Sequence, residues 1–181
     1  SEVEILIKHF NTHTGTGCRN FAIVLLLLRL GLRAIEVCRL TLEDIDWKNG
    51  WITIHSKSQK VQQLPMPKDV GEAIVSYLHK WRPQCADRHI FLRAVAPQKP
   101  FSGSTAITGI VRKALKKSGL KPKGAHLLRR TCATNLLRNG ASLWEIGEIL
   151  RHKSPETTMI YTKVDIDKLS FLAESWPGGN V

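Results

Sequence analysis

Lys48-Asn49-Gly50-Trp51-Ile52-Thr53-Ile54-His55, followed by Val61-Gln62-Gln63-Leu64, decides the fold class of this chain. Trp51 to His55 alternates in character and is rich in β-branched and aromatic residues, the composition of a pleated, half-buried strand. Lys48-Asn49-Gly50 is a turn signal ahead of it. Residues 61–64 read as the returning strand, residues 56–60 as the hairpin tip, and Pro65 and Pro67 as the stop. A further short strand is expected at Ile90-Phe91-Leu92.

Working outward, the rest reads as helix. Residues 2–10 and 19–30 form two helices joined by a turn-rich 11–17, and Gly31 closes the second as a C-cap. Residues 33–40 make a third, short helix. Val70, Ile74, Tyr77, Leu78 and Trp81 recur at helical spacing, which predicts an amphipathic helix over 69–81 that ends before Pro83. Residues 94–104 read as a loop and 105–117 as helix. A helix over 126–139 stops at Gly140, and Ser142 with Glu145 forms a capping box that opens another, to Leu150. Ser154 caps a helix with Pro155 at its first position, and Asp165 caps a last one to Ser175. The class is α+β: mostly helical, with a small antiparallel β-sheet.

At 181 residues and 43% hydrophobic composition, the chain is sized for one domain with a full core. The longest apolar run, 21–28, is far below the ~20 residues that span a bilayer, so no membrane partner is expected. The N-terminus lacks the pattern of a signal peptide. The formal net charge of +12 favours a polyanionic partner, most often nucleic acid. Cys18, Cys38, Cys85 and Cys132 are scattered without a C-x-x-C pair, so no metal site is expected. Cys38 and Cys132 fall in apolar helical patterns and read as core residues. Reduced thiols in the cytoplasm account for them most simply.

The chemistry lies in a series of cations and one phenol. Arg33 stands in Gly31-Leu32-Arg33-Ala34-Ile35-Glu36, and Lys57 and Lys60 both fall in the hairpin tip. His126-Leu127-Leu128-Arg129 puts two side chains on one helix face. Arg151-His152-Lys153 and Tyr161 follow. Guanidinium forks match phosphate oxygens bidentately, so Arg33 and Arg129 suit a phosphate clamp. Of the two tyrosines, Tyr77 sits on an apolar stripe, whereas Tyr161 stands among threonines beside Lys163. A phenol is protonated at neutral pH and needs nearby cations to act as a nucleophile.

This ordered set resembles the catalytic domain of the tyrosine recombinases, the phage integrase family, over nearly the whole chain. The resemblance implies a catalytic domain over residues 1–176 and a C-terminal tail over 177–181, with the family's N-terminal DNA-clamping domain absent. It implies that Arg33, His126, Arg129 and His152 bind the scissile phosphate, that Lys57 protonates the leaving 5′-hydroxyl, and that Tyr161 is the nucleophile. Glu36 then supports Arg33 from one helix turn away. Ser56 and Gln62 depart from the family's usual glycine and arginine, and Arg151 stands where glycine is frequent. The implied partner is double-stranded DNA, bound by a homotetramer on two sites with the final helix docking in trans. Ile166, Leu169, Leu172, Ala173 and Trp176 would form the apolar stripe of that helix. Neither metal nor ATP is implied as cofactor, and the expected location is cytoplasmic, on the nucleoid in a bacterium. Two other readings are relaxation of DNA by a type IB topoisomerase and a non-catalytic helix-turn-helix over 137–161.

Overall fold

A computed structural model describes residues 2–55 and 61–151. Seven helices and three strands are assigned among them: α1 (Glu2–Lys8), α2 (Gly15–Arg29), α3 (Ala34–Arg39), β1 (Ile45–Asp46), β2 (Trp51–His55), β3 (Val61–Pro65), α4 (Lys68–Lys80), α5 (Ser104–Lys117), α6 (Ala125–Arg138) and α7 (Leu143–Leu150). A 3-10 turn, Leu42–Asp44, precedes β1. The sheet is antiparallel in the order β1-β2-β3, so the α+β reading holds. The expected helices at Ser154 and Asp165 lie outside the described residues, as do Lys57, His152, Tyr161 and the apolar stripe at 166–176.

The chain divides into two compact units, Ser1–Cys132 and Ala133–Val181, with the division inside α6. The core of the first unit centres on α2. Ala22 through Leu28 are all buried, so this helix is enclosed nearly all round rather than amphipathic. Val70, Ile74 and Tyr77 of α4 and Ile107, Val111 and Leu115 of α5 join the same core. So do Ile52, Ile54 and Leu64, the inward residues of the sheet, whose alternation along β2 matches the strand period. In the second unit Ala133, Ile146 and Leu150 are buried against one another, with Leu136, Leu137 and Ala141 beside them.

Several boundaries depart from the sequence reading, for local reasons. Helix α2 begins at Gly15, inside the expected turn, because Thr14 caps it by accepting from Gly17 N. Gly17 itself is required by space: a Cβ there would stand 1.9 Å from the Asn11 carbonyl oxygen. Strand β3 runs through Pro65 instead of stopping before it, since an edge strand tolerates a missing N–H. No strand forms at Ile90-Phe91-Leu92. Those residues are buried but flanked by isolated bridges, Thr41 with His89 and Leu92 with Pro100, so the segment pairs briefly on each side without a ladder. Arg19 holds this segment in place. Its buried guanidinium donates to the Leu92 carbonyl at 2.7 Å and lies 5.0 Å over the Phe101 ring.

Candidate active site

The turn between α2 and α3 sets the geometry of the site. Leu30 ends α2, and Gly31 follows at φ 57°, the left-handed conformation that glycine adopts without steric penalty. The chain reverses there and delivers Arg33 to the N-cap position of α3, one residue outside the helix the sequence predicts it to open. Glu36 then uses both carboxylate oxygens on Arg33. One accepts the Arg33 backbone N–H at 2.7 Å, and the other accepts from Nη1 at 2.8 Å. Glu36 is only 4% exposed, so this carboxylate is consumed in orienting the arginine and is not presented to solvent.

Helix α6 supplies the facing groups. Arg129 is buried at 5% exposure, and its Nη1 donates to the Gly31 carbonyl across 98 positions of sequence. One arginine thus braces the turn that aims the other. His126, one turn earlier on α6 and second in the helix, is exposed. Arg33, His126 and Arg129 line one cleft of about 190 Å³.

Ser104 and Thr108, one turn apart on α5, complete the polar lining of the cleft and were not singled out from the sequence. Gly103, the N-cap of α5, has no side chain with which to cap the first turn. The cleft therefore collects two guanidinium groups, an imidazole, two hydroxyls and the starts of three helices, α3, α5 and α6, where backbone N–H groups and the helix dipole favour an anion. Its chemistry is that of an oxyanion receptor. Among the described residues no group of three or more His, Cys, Asp or Glu side chains is placed to hold a metal ion.

Arg151, the departure before His152, ends α7 at φ 56°. An L side chain is strained in that left-handed conformation, which explains why glycine suits the position. Its guanidinium donates to the Ile149 carbonyl at 2.8 Å. Tyr77, the other tyrosine, is buried at 2% exposure, and burial pushes its phenol above the usual range, so it is a core residue.

The family model described as "Phage integrase family" matches residues 1–168. The Sinorhizobium fredii protein y4rA, assigned as an integrase/recombinase, is 47% identical over 98% of this chain and 44% of its own length. Tyrosine recombinase XerC of Bacillus pumilus is 32% identical over 93% of this chain and 57% of its own. The crystal structure of XerA recombinase superposes with a TM-score of 0.77 at 31% identity, covering 89% of this chain and 56% of that one. This chain therefore spans about half the length of each of these three proteins.

Proposed function

Because this chain belongs to the phage integrase family, the tyrosine recombinases, we propose that it is the strand-cleaving part of a site-specific DNA recombinase. The observation that carries the proposal is the cleft shared by Arg33, His126 and Arg129. Breaking a phosphodiester needs fixed donors around the phosphoryl oxygens, where charge builds in the transition state. Paired guanidinium forks and an imidazole meet that need, and the net charge of +12 suits a duplex DNA partner.

In this reading the Tyr161 phenol oxygen attacks the scissile phosphorus in line. A 3′-phosphotyrosyl bond forms as the bond to the 5′-oxygen breaks. Lys57 gives the departing oxygen its proton, and His126 and His152 add donors to the phosphate. A 5′-hydroxyl from the partner duplex then attacks the adduct and restores the tyrosine. Bond energy is held in the adduct throughout, so the cycle consumes neither ATP nor a metal-activated water. Exchange between two duplexes calls for four protomers, with the segment around Leu169 and Leu172 docking on a neighbour.

The test is a nicked suicide duplex incubated with the full-length protein and its Tyr161→Phe variant, read on denaturing gels. A covalent protein–DNA band is expected from the first and none from the second, with DNA binding retained in both. An adduct that survives the substitution, or that maps to Tyr77, overturns the assignment. Binding without any adduct returns the helix-turn-helix reading. Relaxation of supercoiled DNA at unrelated sequences returns the topoisomerase reading.

A further inference from the structure

His55 and Asp44 form a pair that the site described above does not use. Asp44 is a buried carboxylate at 6% exposure. Its Oδ2 accepts from the Thr41 backbone N–H at 2.8 Å and from the Thr41 hydroxyl at 2.9 Å, which closes the 3-10 turn. Its Oδ1 lies 2.8 Å from His55 Nε2. A carboxylate only accepts, so the imidazole donates. The two side chains differ sharply in burial: that of Asp44 is 8% exposed and that of His55 56%. An exposed side chain is thereby tied to a buried, hydrogen-bonded one.

The position of His55 gives the tie a consequence. It is the last residue of β2 and pairs with Val61, the first residue of β3. The ladder with β3 ends at this pair, and the imidazole ties it to the 3-10 turn on the other side. Lys57 follows two residues later, within about 7 Å of chain. We infer that the His55–Asp44 bond is a positioning device for leaving-group protonation, holding the strand end from which Lys57 must reach the 5′-oxygen. This inference rests on the reading of Lys57 as the general acid. A general acid acts only within hydrogen-bond reach of the atom it protonates, and small misplacements cost large factors in rate. His55 touches no reacting atom and acts through the lysine.

Two DNA substrates separate positioning from a merely structural role: a suicide duplex with the natural bridging 5′-oxygen, and one with sulfur there, a leaving group that needs little protonation. With the full-length protein, His55→Ala is expected to slow cleavage of the oxygen substrate about tenfold and to act nearly normally on the sulfur substrate. His55→Gln, whose amide N–H still donates to Asp44, should recover most of the loss. Lys57→Ala should show the same rescue by sulfur, and adding His55→Ala to it should slow the oxygen reaction no further. Thermal unfolding of each variant monitors the fold, and His55→Gln carries the argument if His55→Ala unfolds. Equal losses for His55→Ala on both substrates, or no recovery with glutamine, overturn the positioning role while leaving Lys57 as the acid. A Lys57→Ala variant that sulfur fails to rescue overturns the acid assignment and the positioning role with it.

Discussion

At the scale of single residues, the two arginines of the cleft do different work although the sequence presents them alike. Arg33 is half-buried, steered by Glu36 at its backbone and at its guanidinium. Arg129 is buried and also braces the Gly31 turn. A lysine cannot reproduce a fork that bonds in two directions. Arg129→Lys is therefore expected to slow single-turnover cleavage by at least ~10²-fold, as for the loss of one oxyanion donor, and to lower the melting temperature as well. Arg33→Lys should slow cleavage comparably with a smaller effect on melting. Cys38 offers a test by pH. Burial pushes its thiol from 9.0 up to about 11, and its Sγ donates to the Gly103 carbonyl. A raised folded-state pKa stabilises fully below the unfolded value, and that stability is lost as pH rises from about 9 to about 11. Between those limits the wild type should lose about 2 kcal/mol more than Cys38→Ala, measured by urea unfolding at each pH.

At the scale of elements, caps and periodicity made most helices legible. The Ser142–Glu145 capping box is present at the start of α7: Glu145 N donates to Ser142 Oγ at 3.2 Å, and Ser142 N donates to Glu145 Oε2 at 2.7 Å. The apolar stripe of α4 is buried at Val70, Ile74 and Tyr77 as its spacing implied, whereas Trp81, placed on the same stripe, caps the helix and is exposed. Strand β1 was missed because two residues carry no period, and the strand expected at 90–92 failed because three consecutive apolar residues record burial without recording a partner. Two helical glycines show the same limit. Gly17 and Gly109 both lie within helices of the fold, yet a Cβ at Gly17 would collide with the Asn11 carbonyl, while at Gly109 of α5 it would meet nothing within 4 Å. Gly109→Ala should accordingly stabilise the fold by up to about 1 kcal/mol through helix propensity. Gly17→Ala should destabilise it by about 1–3 kcal/mol despite the same propensity gain. Opposite shifts in thermal unfolding are the expected outcome, and shifts of the same sign would contradict the contact at Asn11.

At the scale of the whole molecule, the net charge of +12 bears on the proposed DNA partner, whose binding through phosphates would weaken with salt. If Arg33 and Arg129 each neutralise one phosphate charge, counterion release costs roughly tenfold in affinity between 50 and 200 mM salt. At least that loss is expected from fluorescence anisotropy with the full-length protein, and a flat salt response would contradict a phosphate-centred cleft. The net charge, the helix-dominated α+β class, the hairpin and the caps were readable in the sequence, because each rests on composition or on the pattern of neighbouring residues, whereas the candidates Arg33, His126 and Arg129 stood out only by the order of motifs along the whole chain. Other features were decided only by tertiary packing. Gly31 and Arg129 meet across 98 positions, Arg19 straps Leu92 across 73, and Ser104 and Thr108 join a cleft whose other walls come from α3 and α6. Periodicity and capping are properties of a few consecutive residues, so the sequence displays them directly. Which distant carbonyl a buried guanidinium finds depends on how whole helices pack, and no local pattern encodes that distance.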